Sequence, residues 1–289
     1  MNKRAPDQRD GFILVAVLWI LAALASFVAI FSSYVSASAT TAAVRNEGAI
    51  ASGLANAAVE LAAHRLLAGP KDKRPTHGDI SFRMRSAQVS ALFRDEAARI
   101  DLNAAPREVL AGLFTALGAQ PEAAGTYADR LLAFRAQLPE NGGREEDLYR
   151  EAGLNHGPRG APFVHVEELW CVAGLPPALV AAALPHVTVY GGRGGVNAAE
   201  ADVVVRAALR ENESEADQSR TGRQATSNTV ATAGDTVRVT VRIDFQSGHR
   251  RMAEAVILLR EFGDDPFRVL DWREEALPAE PARYRGRNP

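Results

Sequence analysis

Residues 12–31 read FILVAVLWILAALASFVAIF, and this stretch decides how the rest of the chain is interpreted. It carries no charged side chain, and Ser26 is its only hydroxyl. A helix needs about 20 apolar residues to cross a bilayer, whereas the apolar core of a cleaved signal peptide runs about 7–15 residues. A surface-packed helix of a soluble protein would show polar residues along one face. We therefore predict a transmembrane helix over about 12–33.

The charges that flank the apolar run predict its orientation. Lys3, Arg4 and Arg9 precede it, and no Lys or Arg follows it until Arg45. Positively charged flanks stay on the cytoplasmic side of a membrane. We expect residues 1–11 in the cytoplasm and the C-terminal domain outside it, which in a bacterium is the periplasm. The chain would then be a single-pass protein of the inner membrane.

The helical pattern continues well past the apolar run. Residues 32–68 contain no proline, and their only glycines are Gly48 and Gly53. Alanine is frequent there, which favours helix, and apolar residues recur at three- and four-residue spacing. Gly69-Pro70 ends the pattern. We predict one N-terminal helix over 12–68, preceded by a leader of residues 1–11.

Alternating apolar and polar residues predict strands in two separated parts of the chain. Residues 80–85 (ISFRMR) alternate, and residues 87–102 are compatible with a second strand. Residues 236–245 (TVRVTVRIDF) alternate strictly, and a turn at 247–249 leads into a returning strand, which indicates a hairpin. We assign these parts, 70–99 and 235–272, to one antiparallel sheet.

A helical block over residues 100–210 separates the two parts of the sheet. Asn103 is the expected N-cap of its first helix, with Pro106 in the first turn. LNAA at 102–105 and VNAA at 196–199 are each expected to cap a helix. Further helices are predicted near 121–137, 145–152, 165–173, 176–184 and 196–210. The fold class is therefore α+β, with a polar, flexible loop at 211–234 and a C-terminal tail at 273–289.

The junction between leader and helix resembles a known processing site. Basic residues, then Gly11, then Phe12 opening a long apolar helix resemble the type IV prepilin class. The resemblance implies that a prepilin peptidase cuts between Gly11 and Phe12 and methylates Phe12. Most members of the class carry glutamate as the fifth mature residue, where this chain has Ala16. In the family that carboxylate pairs with the terminal amine of the subunit ahead, so Ala16 suits a subunit at the tip.

A fuller resemblance covers most of the chain. Besides the junction, DEAARIDLNAAP (95–106), VEELWCVAGLP (166–176), the late hairpin and PFRVLDW (266–272) look like the K-type minor pseudopilin of the type II secretion system. This resemblance implies a helix-hairpin-helix or SAM-like insertion in a pilin-like sheet. It also implies a subunit at the tip of the pseudopilus, with I- and J-type minor pseudopilins as partners, that starts assembly and supports export across the outer membrane.

The main alternative is a membrane-anchored periplasmic DNA-binding protein of the competence type. The helical block also resembles a helix-hairpin-helix domain, which holds phosphates with backbone amides and a nearby basic residue. The turn here reads Ala173-Gly174-Leu175-Pro176-Pro177, in which two prolines remove amide donors. Residues 100–190 contain six Arg, no Lys and eleven Asp or Glu, a formal net charge of −5. An acidic block repels DNA, so we expect no nucleic acid.

No catalytic constellation is visible in the sequence. The six histidines lack metal-ligand spacing, and the one cysteine, Cys171, sits among apolar neighbours and is expected to be a core thiol. The glycine-rich run 191–195 lacks the Lys-Ser/Thr ending of a phosphate loop and is expected to be a connector. We predict a non-enzymatic protein that requires no cofactor. Calcium is a candidate ligand through the carboxylates at 145–147 and 264–265, but no ligand set can be assigned.

Overall fold

The structure is a computed structural model, and it describes residues 9–137, 144–218, 234–260, 263 and 265–277. The chain divides into two compact units, residues 1–53 and residues 54–289. The first helix runs through this division, so each unit contains part of it.

Helices and strands alternate in blocks along the described chain. The α-helices are α1 (Arg9–Leu67), α2 (Arg107–Ala116), α3 (Pro121–Arg135), α4 (Arg144–Glu151), α5 (Pro177–Ala183) and α6 (Val203–Gln218). The strands are β1 (His77–Met84), β2 (Ala87–Asp95), β3 (Ile100–Asp101), β4 (Val187–Thr188), β5 (Thr236–Phe245), β6 (Arg250–Leu259) and β7 (Phe267–Leu277). Short 3-10 segments lie at Lys71–Lys73, Glu96–Ala98, Val166–Cys171 and Leu184–His186.

Five strands form one antiparallel sheet in the order β1-β2-β5-β6-β7. Every pair of neighbours in it is antiparallel, and β2 pairs directly with β5 although the helical block separates them in sequence. This confirms an α+β fold in which a helical insertion interrupts a pilin-like sheet. The hairpin predicted from the alternation of 236–245 is the β5–β6 pair.

The alternation of the strands gives the sheet one apolar face. On that face Val89 and Val239 are completely buried. The part of α1 beyond residue 53 buries Ala58 and Ala62 equally well. Arg65 connects the two layers, because its guanidinium donates to the carbonyl of Asp79 at 2.7 Å. Because alanine side chains are small, the helix can approach the sheet closely. The apolar surface buried between helix and sheet supplies most of the stability of their packing.

The inserted helices enclose a second apolar core. Phe114 packs edge-on against Tyr127 with ring centroids 5.5 Å apart, and Phe134 stacks on Phe163 at 4.9 Å. The short strands β3 and β4 pair in parallel beside this core. Gly112 of α2 lies so close to the backbone of Ala208 on α6 that a Cβ on Gly112 would overlap its carbonyl oxygen. The insertion is therefore packed on its own core.

Neither asparagine expected to cap a helix does so. Helix α2 begins at Arg107, and Asn103 instead bonds the backbone of Phe163 through both its amide atoms. Helix α6 begins at Val203, six residues after Asn197, and the Oδ1 of Asp202 accepts the amides that open it at 2.9 Å. Both caps were predicted wrongly because the asparagines lie in turns whose bonding partners are distant in sequence.

Three further boundaries differ from the predictions. The helix expected over 165–173 is a 3-10 segment, Val166–Cys171. Helix α6 extends to Gln218, into the segment predicted to be a loop, and residues 219–233 lie outside the described residues. Strand β7 continues to Leu277, into the predicted tail, and residues 278–289 lie outside the described residues.

Candidate functional site

The N-terminal helix contains the three residues that the prepilin resemblance singles out. Helix α1 begins at Arg9, so Gly11 and Phe12 lie in its first turn and Ala16 in its second. Among the described residues one helical span, Ile13–Ser38, is long and apolar enough to cross a membrane, and none of its 26 residues is buried. This agrees with the predicted anchor. Cleavage and methylation at Gly11-Phe12 stay predictions.

Two serine hydroxyls of the span bond to carbonyls of the same helix. The hydroxyl of Ser26 donates to the carbonyl of Ala22 at 2.8 Å, and that of Ser33 donates to the carbonyl of Ile30 at 2.8 Å. Hydrocarbon offers no other hydrogen-bond partner, so polar groups in a membrane helix must be satisfied locally. The span therefore has the length and composition that a bilayer requires, and these two hydroxyls are bonded locally.

A buried ion-pair network joins the sheet to the insertion. Glu96, which is 1% exposed, follows β2 and binds the guanidinium of Arg238 on β5 through both carboxylate oxygens. Thr188 on β4 donates its hydroxyl to the same carboxylate at 2.6 Å, and Arg238 also binds Glu254 on β6. Burial alone would raise the pKa of Glu96, but the bonds and charge of Arg238 lower it below its ordinary value.

A second contact joins the far side of the sheet to the insertion. Arg273 on β7 forms a two-bond salt bridge with Glu167, which lies in the 3-10 segment after His165. The paired guanidinium lowers the pKa of Glu167 and raises that of Arg273, because each charge stabilises the other. This bridge and the Glu96 network are two of the contacts that join the insertion to the sheet.

The glycine-rich run binds a carboxylate of the protein itself. The amide of Gly192 donates to the Oδ2 of Asp101 at 2.6 Å, and the amide of Asn103 donates to the Oδ1 of Asp101 at 2.7 Å. Asp101 is 3% exposed, and burial raises its pKa. The run therefore connects β4 to α6, as predicted, and gives a buried carboxylate one of its donors.

Two turns of the insertion, those before α3 and before α5, each contain a glycine with a positive φ. Gly118 between α2 and α3 has a φ of 96°, and Gly174 before α5 has a φ of 77°. The chemistry of a phosphate site is missing from the second turn. The amide of Ala173 donates to the hydroxyl of Tyr149 at 3.1 Å, and two prolines follow. A basic side chain that the sequence does not reveal, Arg130 of α3, lies against Gly174.

The guanidinium of Arg130 is partly buried. Its Nη1 atom is buried, although no hydrogen-bond partner for it lies among the described residues. Glu122 lies in the first turn of α3, and Glu145 and Glu146 lie in the first turn of α4. The second turn thus has one amide already bonded, that of Ala173, and two prolines that lack an amide donor, which weakens the DNA-binding alternative.

The structure separates the residues weighed for metal or redox chemistry. Among the described residues no group of three or more His, Cys, Asp or Glu side chains could hold a metal ion. The Oδ1 of Asp147 is bound to Arg150 at 2.6 Å, and Asp264 lies outside the described residues. Calcium binding stays a prediction without ligands. Cys171 is exposed, which corrects the expectation of a core thiol, because the 3-10 segment turns it to the surface.

A long helix on an antiparallel sheet that a helical domain interrupts defines a pilin-like subunit with an N-terminal anchor. Residues 89–192, about a third of the chain, match the family model described as Type II secretion system (T2SS), protein K. This match and the shared fold support a K-type minor pseudopilin and confirm the family recognised from the sequence.

Structural comparison supports the same fold. A chain in the crystal structure of the GspK-GspI-GspJ complex from the enterotoxigenic Escherichia coli Type 2 Secretion System matches with a TM-score of 0.62. The sequence identity is 19%, and the alignment covers 80% of this chain and 98% of that chain. At this identity the comparison shows the fold. No curated protein sequence matches the chain.

Proposed function

We propose that this protein sits at the tip of a type II secretion pseudopilus, where it starts assembly and supports export across the outer membrane. The observation that carries the proposal is the sheet itself. Strands β2 and β5 are direct neighbours, yet a helical domain with its own core is inserted between them. Such a domain is difficult to accommodate between stacked subunits of a shaft and easy to accommodate where no subunit follows.

Ala16 supports the same position. A carboxylate inside the bilayer is costly unless a partner compensates it. A tip subunit has no neighbour ahead to supply an amine, so alanine at this position avoids the cost. Replacing Ala16 with Glu should therefore lower the yield of assembled pseudopili, whereas replacement with Leu should leave it unchanged.

The anchor implies an inner-membrane protein with its folded domain in the periplasm. The basic residues before the apolar span support this orientation. Prepilin peptidase would remove residues 1–11 and methylate Phe12. Mass spectrometry of the mature N-terminus, with and without the peptidase, tests this step. An N-methylated Phe12 supports it, and an intact Met1 in the presence of the peptidase contradicts it.

The proposed partners are the I- and J-type minor pseudopilins. The crystal structure with the matching fold is that of a complex of GspK with GspI and GspJ, which supports partners of the same two types here. The direct test is co-purification of the full chain in detergent with the I- and J-type subunits of the same secretion system. A stoichiometric complex is expected, and failure to form one would remove the tip assignment.

We propose a structural role with no catalysis and no required cofactor. The chemistry of this role is association, which needs surfaces and an anchor. The competence-type alternative keeps one favourable observation, the positive φ angles of Gly118 and Gly174. It predicts DNA binding that weakens steeply with salt. We expect no such binding from the full chain.

A further inference from the structure

A cavity of about 320 Å3 opens on the outer face of the sheet, beside the 3-10 segment Glu96–Ala98. It lies where β1, β2 and β5 meet that segment. The lining residues that matter for its chemistry are Leu92, Arg94, Asp95, Glu96, Arg99 and Arg238.

Three guanidinium groups meet in this cavity. Arg94 of β2 lies directly opposite Arg238 of β5 in the ladder, and Arg99 follows three residues after Glu96. Like charges opposite each other on neighbouring strands destabilise a sheet. Burial and the positive charges of Arg238 and Arg94 lower the pKa of Arg99, and the carboxylates of Glu96 and Glu254 act against them. The fold therefore holds three guanidinium groups close together.

Most of the carboxylates nearby are already bound. Glu96 accepts from Arg238 and Thr188, and Glu254 accepts from Arg238. Asp95 accepts the amides of Ala97 at 2.9 Å and Gly234 at 2.7 Å. The remaining charged residues of the lining are Asp79 on β1 and His77. The imidazole of His77 pairs with Glu200.

Two guanidinium groups, those of Arg94 and Arg99, are consequently left beside one remaining carboxylate of the lining, that of Asp79. Within the described residues the side chains of Arg94 and Arg99 form no hydrogen bond or salt bridge, so the two guanidinium groups offer their donors to the cavity. Leu92, which is 63% exposed, adds an apolar surface beside them. A ligand that carries only hydrogen-bond acceptors on a short carbon chain would bond the two guanidinium groups and contact Leu92.

We propose that this cavity binds a carboxylate, with Arg94 and Arg99 as its hydrogen-bond donors and Leu92 in contact with the attached carbon atoms. Guanidinium and carboxylate groups match geometrically through two parallel bonds, and such charge-assisted bonds are about twice as strong as neutral ones. The carboxylate has two sources, a small free carboxylic acid or an Asp or Glu side chain of an I- or J-type partner. The second source rests on the proposed function.

The test uses the full chain in detergent at constant ionic strength. Binding of citrate is measured by calorimetry for the unaltered protein and for the double variant Arg94→Gln/Arg99→Gln. The matched control is Arg83→Gln, which removes an exposed arginine of β1 whose guanidinium contacts Gln88 outside the cavity. In parallel, the affinity of each variant for the I- and J-type subunits is measured.

The free-acid source predicts that citrate binds and that the double variant weakens binding at least about tenfold. The partner source predicts no citrate binding but an affinity for the partner subunits at least about tenfold lower in the double variant. In a chloride buffer without citrate, the unfolding temperature of the double variant should equal or exceed that of the unaltered chain, because two like charges are removed.

Two results would overturn the site. In the first, the double variant changes neither citrate binding nor partner affinity. In the second, Arg83→Gln changes them as much as the double variant does, which would indicate a general charge effect. If the unaltered chain does not associate with the partner subunits at all, the proposed function fails, whereas citrate binding still tests the site.

Discussion

The guanidinium of Arg238 lies 2.5 Å from the carboxylate of Glu96, measured from Nη2 to Oε1, although 142 residues separate them. Glu96 directly follows β2 and Arg238 lies near the start of β5, so the pair lies where the insertion leaves and rejoins the sheet. Thr188 ties the insertion to the same carboxylate. The pair therefore links the sheet to the inserted helical domain.

Replacing Arg238 with Met should lower the free energy of unfolding by about 3–5 kcal/mol, because it leaves the buried carboxylate of Glu96 without its cation. Adding Glu96→Gln should restore part of the loss. The measurement is urea unfolding of the full chain in detergent. The control is Arg242→Met, whose partner Asp244 is 37% exposed and whose loss should cost at most about 1 kcal/mol. Equal effects of the two arginine variants would contradict this prediction.

The contribution of Glu96 should depend on pH. Its pKa in the folded chain is lowered, so its stabilisation is fully present above the unfolded value of about 4.3 and is lost as the pH falls through the folded value. The difference in unfolding free energy between the unaltered chain and Glu96→Gln should shrink below about pH 5. Urea unfolding at several pH values measures it. A difference that grows on acidification would show the opposite sign and refute the assignment.

Gly112→Ala should destabilise the insertion. A Cβ at Gly112 would overlap the carbonyl oxygen of Ala208, so α2 and α6 would have to separate. Overpacking of this kind costs about 1–3 kcal/mol. Thermal unfolding followed by circular dichroism measures the loss. In contrast, Gly53→Ala in α1 meets no atom within 4 Å and should be neutral or stabilising, by up to about 1 kcal/mol.

Asn103→Ala should cost about 1–3 kcal/mol, because it leaves the buried amide and carbonyl of Phe163 without partners. Asn103→Asp keeps one acceptor but loses the donor to the carbonyl, so its stability should fall between those of the unaltered chain and Asn103→Ala. The exposed Asn155 provides the control, and its change to Ala should be neutral. If Asn103→Ala and Asn155→Ala unfold at the same temperature, the hydrogen bonds of Asn103 do not contribute to the stability of the folded chain.

Gly11→Val should leave the chain unprocessed by prepilin peptidase, because the resemblance places the cut directly after this glycine. The readout is the mature N-terminus by mass spectrometry. Ala5→Val, inside the same leader, should still give an N-methylated Phe12. Processing of Gly11→Val at the same site as the unaltered chain would show that the glycine does not direct the cut.

Short-range patterns predicted much of this fold correctly. The strict alternation of 236–245 identified β5, and alternation at 80–85 identified most of β1. The apolar span was recognised from length and composition, and its boundary moved only from residue 33 to Ser38. These features depend on neighbours within one turn or one strand, and a single sequence contains that information.

Contacts across the insertion were not predictable in the same way. Asn103 has the composition of an N-cap, yet its partner Phe163 lies 60 residues away. Cys171 has apolar neighbours in sequence, yet the 3-10 segment exposes it. No local pattern reveals that Arg94 and Arg238 lie opposite each other, because their register forms only when β2 pairs with β5.

The sequence by itself determined the anchor, the strand and helix content and the family resemblance, because hydropathy and alternation are properties of neighbouring residues. Only the tertiary structure decided which polar groups became partners. In the folded chain Glu96 pairs with Arg238, and Asp101 accepts a bond from the glycine-rich run. Arg94 and Arg99 line an open cavity. A buried polar group must find a partner wherever the fold brings one, and chain distance does not limit that search.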